Sequence, residues 1–364
     1  MWPYFVLFLI PAYLAIQRKR LSMTNTSWLT VLPKRRWPTL WHLVFWMLSL
    51  MIGFRYEVGG DWLSYLNNVD EAAYFGFWEA LGHKDPSYGL LIWLGVQTGT
   101  GIFLANTVCA FLFTYGLLEF CRVQPRPWLA LTVAVPYLVI VVAMGYTRQG
   151  VAIGLAMAGL VVLGRGEIWR FIFWIALAAT FHKSAVILVP LAFLAGSKHR
   201  MWSVVLVVCS ATLLFVLLLQ ESVEHLRTGY LDAAYESSGA ALRVAMNAVP
   251  GTFFLVFRKK FRLSLVERRF WEWMSWAGIL FVVLLAFSPS STAVDRLALY
   301  WIPLQLYVWS RLPEVLGCAN TSNRFWAIAV ISYSSSVMLV WLFFGVHANR
   351  WLPYKFFPWV WFWQ

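Results

Sequence analysis

Charge is what this sequence has least of. Asp, Glu, Lys and Arg make up 12% of its 364 residues, about half the share found in soluble domains. Hydrophobic residues account for 61%. No water-soluble core accommodates that surplus of apolar surface, so a soluble globular protein is excluded. Acidic residues are scarcer than basic ones, 16 against 29, and the net charge is +13. The excess does not indicate nucleic acid, because most basic residues sit in short clusters between apolar segments. Cysteine is also rare. Cys109, Cys121, Cys209 and Cys318 share no short spacing, so neither a disulfide framework nor a metal site is indicated. The first apolar run has no basic stretch ahead of it and no small-residue cleavage site. Trp2–Ile16 is therefore read as a retained helix.

What the chain does have is long apolar runs. Phe325–Val346 carries no charge at all and exceeds the ~18 residues that mark a spanning helix. The 23 tryptophans gather near the ends of such runs, as expected of aromatic belts at two membrane interfaces. Basic clusters set the orientation: residues 18–20 and 34–36, Arg122 with Arg126, Arg165 with Arg170, Lys198 with Arg200, residues 258–269, Arg311 and Arg324. Placing these inside puts 20 of the 29 Lys and Arg in the cytoplasm and both termini outside. The implied fold is an all-α polytopic bundle in a single integral membrane domain over 1–364. Its twelve or so crossings lie at approximately 2–16, 37–54, 102–121, 128–146, 149–163, 170–181, 184–197, 201–220, 242–257, 269–288, 295–310 and 325–346, some of them short or broken. Tyr88–Gln97 is too short to span. It is a re-entrant or interfacial piece, or the tilted start of the next helix, hinged at Gly99 and Gly101.

Two external regions are long enough for structure of their own, 55–87 and 221–241. In the first, Trp62, Leu66, Val69, Ala73 and Phe77 recur at helical spacing opposite Asn67, Asp70 and Glu71, which suits a helix on the membrane surface.

A lone charge at the centre of a spanning helix costs about 2.5–3.5 kcal/mol on insertion scales, so the basic residues assigned outside need individual reasons. Arg148 lies in a tight turn, Tyr146–Gly150, as a snorkelling side chain or an anion clamp. His182 and Lys183 interrupt an apolar stretch whose ends must both be cytoplasmic. Each arm of that hairpin has about 12 residues, roughly 19 Å at ~1.5 Å per residue, against a core of roughly 30 Å. The tip then stops inside the membrane, where a broken helix is tolerated only in protein or beside a cavity. Asp295 and Arg296 open a helix after an external turn, as a local ion pair or as part of a site. Arg243 stands just before an apolar run. Arg55 and Asp61 flank Glu57 and the pair Gly59-Gly60, and a surface salt bridge accounts for them cheaply. Together Arg148, Lys183, Arg243 and Arg296 set four cations at outer helix ends, against the positive-inside rule. An anion at the outer leaflet, such as a lipid diphosphate, would explain them.

At these residues the chain resembles the EpsG family of Wzy-like polysaccharide polymerases. The matching stretches are Phe54–Trp62 with Tyr65, Asp85–Tyr88, Arg148–Ala152, Phe181–Ala185, Gly239–Arg243, Asp295-Arg296 with Tyr300, and Leu352–Lys355, in family order over nearly the whole chain. Gly60 departs from the pattern, which has Thr or Ser before the Asp. The resemblance implies a bacterial plasma-membrane protein with a fold like that of the membrane (GT-C-type) glycosyltransferases. Such a protein polymerises oligosaccharide repeat units carried on undecaprenyl diphosphate, needs no metal or other cofactor, and works in some cases beside a chain-length regulator. On that reading Arg148, Arg243, Arg296 and Lys183 bind diphosphate. His182 is the first candidate for the base and Asp61 the second, while Arg55, Asp295 and Tyr300 are possible glycan or loop contacts. An O-antigen ligase, a flippase for lipid-linked oligosaccharide and a membrane O-acyltransferase built on His182 are the alternatives.

Overall fold

The computed structural model describes residues 1–17, 37–190, 239–288, 291–317 and 323–362. The expected crossing at 201–220, most of the second external region, the second arm of the hairpin beyond residue 190, and Cys209 and Cys318 lie outside them. Among the described residues the fold is all helical, with one isolated antiparallel bridge between Arg55 and Phe356.

Helix α1 spans Trp2–Gln17 and α2 spans Thr39–Gly53. Three short helices follow, α3 Trp62–Ala72, α4 Phe77–Leu81 and α5 Pro86–Gln97. Then come α6 Ile102–Arg122, α7 Pro127–Ala134, α8 Thr147–Leu163 and α9 Ile168–Phe181. Beyond the second gap lie α10 Ala240–Phe257, α11 Leu265–Phe287, α12 Ser291–Ala298, α13 Ile302–Leu316, α14 Arg324–Phe344 and α15 Phe357–Phe362. Four of these, α6, α10, α11 and α14, are long and apolar enough to cross a membrane alone. The other apolar helices, α1, α2, α7 with its extension, α8 and α9, are shorter.

Hydrophobicity on every side of a helix means burial on every side. Helices α7 and α8 show this, since nearly all their residues are inaccessible, and α13 is as deeply buried although it carries Gln305, Arg311 and Glu314. The remaining helices pack round them, and α11 and α14 leave Phe287, Phe343 and Phe344 exposed, as lipid-facing residues require. Where α6 meets α8 the backbones nearly touch. A Cβ on Gly116 would sit 1.8 Å from the Gly154 carbonyl oxygen, and one on Gly154 would sit 2.5 Å from Phe113 Cα. Small residues of this kind let membrane helices gain contact area where lipid offers no hydrophobic drive.

Helix α7 runs into a π-helix over Val135–Ala143. Pro136 stands at its start, and a proline nitrogen has no hydrogen to donate to the preceding turn. The wider turns that follow carry the chain to the bend at Gly145-Tyr146. The expected hairpin is visible in part. Helix α9 has 14 residues, about 21 Å at ~1.5 Å per residue. It ends at His182, whose extended backbone (φ −159°) hands over to a 3-10 turn, Lys183–Leu188. The apolar segment after Lys84 is a separate helix, α5, and the chain breaks at Gly99 and Gly101 before α6.

The surface helix differs from its expected form. It stops at Ala72, and Phe77 begins another helix. Trp62, Tyr65 and Ala72 are its buried residues, while Leu66 and Ala73 are exposed. Tyr65 packs at 5.5 Å on the Tyr88 ring of α5, and burying that pair turns the helix away from the simple apolar stripe.

Polar groups collect at both ends of the bundle. One end holds Arg126 paired with Glu314 at 2.7 Å, and Arg311 bonded to Gln124 and stacked 3.7 Å over Tyr307. Tyr307 donates to Glu267 at 2.9 Å. This is the end to which the sequence assigns the basic clusters. The residues singled out as external gather at the other ends of the same helices. Replacing Gly154 with valine should force α6 and α8 apart at a cost of at least about 1–3 kcal/mol. A lowered midpoint of heat unfolding in detergent is the expected measurement, and an unchanged midpoint would contradict the close packing.

Candidate functional site

Three stretches meet at this end: the loop 55–61 between α2 and α3, the bend 145–148 ahead of α8, and helix α12. Arg55 joins the first two. It is 1% exposed and forms no salt bridge with Asp61 or Glu57, contrary to the surface pairing expected from sequence. Its guanidinium donates to the carbonyls of Ile52 (2.6 Å) and Val58 (3.2 Å), to Thr147 Oγ1 (2.6 Å) and to Asn106 Oδ1 (3.3 Å). A cation taken out of water needs such a shell of acceptors. Glu57 pairs with Lys355 instead. Arg55 is thus a positioning residue beneath the site.

Asp61 stands at the N-cap of α3, yet its carboxylate caps no backbone N–H. The main chain holds it in place. Its amide donates to the Gly145 carbonyl at 3.3 Å, and Tyr65 Oη donates to its carboxylate at 3.4 Å. Gly59 (φ +114°) permits the approach, because a Cβ there would lie 2.2 Å from the Met144 carbonyl oxygen. Burial pushes the Asp61 carboxyl above the usual range, and Arg296, then Arg148, then a bond from Tyr65 and the charge of Arg350 hold it back. The carboxylate therefore feels the charge of guanidiniums from three elements.

Arg148 opens α8 and binds Asp85, the residue preceding α5, at 2.7 Å. Its guanidinium lies 5.8 Å over the Tyr88 ring. Burial raises the Asp85 carboxyl too, with Arg148 opposing it. Arg243, in the first turn of α10, grips Asp295 with two bonds of 2.7 Å, so Asp295 serves a neighbouring helix and makes no local pair with Arg296. Gln149 donates its amide to the Arg296 carbonyl, tying α8 to α12. Arg296 itself is exposed and makes no ion pair among the described residues. Two of the cations expected to clamp an anion are thus already engaged by carboxylates. Arg148 keeps further N–H groups, since a guanidinium has five.

His182 is reached through Tyr300, whose hydroxyl lies 3.3 Å from Nδ1. Tyr300 is buried and feels the charge of Asp85. Ser87 donates to Thr180 at 2.8 Å, fastening the start of α5 to the end of α9. His182 and Asp85 therefore belong to one polar cluster. Lys183 is exposed and takes part in none of its ion pairs. Among the described residues no three His, Cys, Asp or Glu side chains gather in a metal-binding group. Asp85 and Gln149 have roles here that sequence reasoning did not give them, although both lie in the stretches quoted above. Arg350 carried no signal beyond its external placement.

A helical membrane protein with a charged, tyrosine-lined cluster at one end of its bundle is the class these features define. A model described as the EpsG family matches residues 39–356. The chain belongs to that family, the Wzy-like polysaccharide polymerases. No curated protein and no solved structure matches it.

Replacing Tyr300 with phenylalanine removes the hydroxyl at Nδ1 and leaves the buried ring. Carbethoxylation of His182 in the folded protein, read by peptide mass, should become several-fold faster. An unchanged rate would show that Tyr300 does not shield the imidazole.

Proposed function

We propose that this protein transfers a growing glycan from undecaprenyl diphosphate to the non-reducing end of a lipid-linked oligosaccharide repeat unit. The reaction takes place at the outer face of a bacterial plasma membrane, with both chain termini outside. The observation that carries this reading is Asp61, a carboxylate unused for helix capping, fixed by its amide on the Gly145 carbonyl and by Tyr65, on which the charges of Arg296 and Arg148 act. Membership of the EpsG family supports the polymerase class.

Chemistry at such a site is a substitution. An acceptor hydroxyl attacks the anomeric carbon of the donor sugar as the bond from that carbon to the diphosphate oxygen breaks. Asp61 takes the hydroxyl proton, and the lipid diphosphate departs with the bonding electrons. A lipid diphosphate is already a good leaving group, so the main demand is for preorganised positive charge where charge develops. Arg296 makes no ion pair among the described residues, and Arg148 supplies its remaining N–H groups beside Arg243. Pairing with Asp85 and Asp295 fixes those two guanidiniums before substrate arrives, which reduces the ordering cost on binding. Asp61 takes precedence over His182 as the base because the charges of Arg296 and Arg148 act on its carboxylate, whereas the His182 ring nitrogen meets Tyr300. His182 stands behind Tyr300.

The pH dependence follows from the Asp61 environment. A base must be ionised, so turnover falls as pH drops through its pKa, and burial places that fall above the ordinary carboxylate range. Removing Arg296 takes away the charge that most opposes burial, so Arg296→Ala should move the acid limb to higher pH as well as lowering the rate. An unmoved limb would separate the two residues.

The decisive assay is turnover of a defined lipid-linked repeat unit by the purified protein. Ladders on the lipid carrier are expected from wild type. Asp61→Asn should lower kcat by about 10²–10⁴-fold, the usual worth of a general base, with folded protein unchanged. If His182→Gln shows that loss and Asp61→Asn does not, His182 is the base. If wild type moves the substrate across vesicles without joining it, or joins it only to a lipid A core, the polymerase reading is wrong.

A further inference from the structure

The segment after α14 is packed into the site. His347–Phe356 crosses the loop 55–61 and bonds to it along its length. Gly59 N–H donates to the Arg350 carbonyl at 2.9 Å, Tyr56 N–H to the Lys355 carbonyl at 3.0 Å, and Phe357 N–H to the Phe54 carbonyl at 2.8 Å. Trp351 anchors the strap. It is 1% exposed, and its indole donates to the Ile140 carbonyl of the π-helix at 2.8 Å while Tyr4 Oη donates to the Trp351 carbonyl at 2.7 Å. A Cβ on Gly145 would lie 2.2 Å from the indole. The strap thus holds both the 55–61 loop and the 145–148 bend.

Arg350 leaves this anchored strap beside Asp61. One of its N–H groups donates to the Gly60 carbonyl at 3.1 Å, the guanidinium acts on the Asp61 carboxylate, and the side chain is exposed. It makes no ion pair among the described residues. Asp85 is engaged by Arg148 and Asp295 by Arg243, so of the guanidiniums whose charge acts on Asp61, Arg296 and Arg350 make no ion pair among the described residues. Two cations around one carboxylate leave positive charge over. A charge left over at a site of this kind suits a bound anion.

Resting on the polymerase reading above, we propose that Arg350 is a further substrate-positioning residue, which binds the diphosphate of the lipid-linked substrate from the strap while its bond to Gly60 fixes the Asp61 loop. The anion is held from two sides, by Arg296 on α12 and by Arg350 on the strap, with Asp61 between them.

Three substitutions separate binding of an anion from simple loop support. Arg350→Gln keeps an N–H for Gly60 and removes the charge. Arg350→Lys keeps the charge on a different donor, and Arg350→Ala removes both. With the purified full chain and a defined lipid-linked repeat unit, Gln and Ala should raise KM at least tenfold, with Lys between them and wild type. Inhibition by inorganic pyrophosphate should weaken in the same order, and the heat-unfolding midpoints of Gln and Lys should match wild type. If Gln retains wild-type KM and pyrophosphate inhibition, Arg350 serves only the loop and the proposal is overturned. If Ala fails to fold, the Gln and Lys variants still decide. If Arg296→Ala and Asp61→Asn also keep full activity, the polymerase site itself is misassigned, and this proposal goes with it. Loss in those two alongside a wild-type Gln variant overturns only the role of Arg350.

Discussion

The buried guanidinium of Arg55 is the constraint on which the site depends. A cation removed from water without a carboxylate is expensive, and it persists only where the surrounding acceptors are fixed. Here those acceptors come from the end of α2, the 55–61 loop, α6 and the first residue of α8. Satisfying one charge therefore sets the register between three parts of the chain far apart in sequence. Asp61 and Arg148 lie three and one residues beyond two of those contact points, Val58 and Thr147, so their separation is inherited from the Arg55 shell.

Above that shell, the ion pairs act as orientation devices. Asp85 and Asp295 look at first like a fault in an anion site, because they cancel half of its positive charge. Exposed long side chains, however, must be ordered before they bind, at about 0.5–1.5 kcal/mol each. Held by carboxylates, Arg148 and Arg243 have met that cost in folding. The remaining positive charge lies on Arg296 and Arg350, both exposed at the mouth. The opposite end of the bundle uses the same residue types for structure alone. Arg126, Glu314, Arg311 and Gln124 there bond to one another, and none of them faces the cluster around Asp61.

Much of this was legible in sequence for reasons that can be named. A spanning helix must be apolar, so a charge inside one or at its outer end stands out, and that rule alone found Arg148, His182, Arg243 and Arg296. The break at His182 followed from length and parity, and the helix does end there. What escaped were the relations between segments. Arg55 read as a surface residue because nothing local shows that Thr147 and Asn106 close over it. For Asp295 the sequence leaves open a pair with its neighbour or a place in the site, whereas helical geometry points adjacent side chains apart and gives it to Arg243. The surface helix was rotated by an aromatic pair whose second member, Tyr88, belongs to another helix. Gly60 lacks the hydroxyl of the family pattern, and the Trp351 ring lies 3.4 Å from where its Cβ would be, a contact no local pattern reveals.

The bond from Arg350 to Gly60 spans 290 positions of sequence. Ribosomes add about 5–20 residues per second, so roughly 15–60 s separate the emergence of the loop from that of the strap that closes over it. During that interval the early helices enter the bilayer carrying Asp61 and Arg148 but lack the piece that fixes them. Until the strap emerges, the 55–61 loop of a nascent chain lacks every bond that residues 350–357 give it, so this end of the bundle closes last.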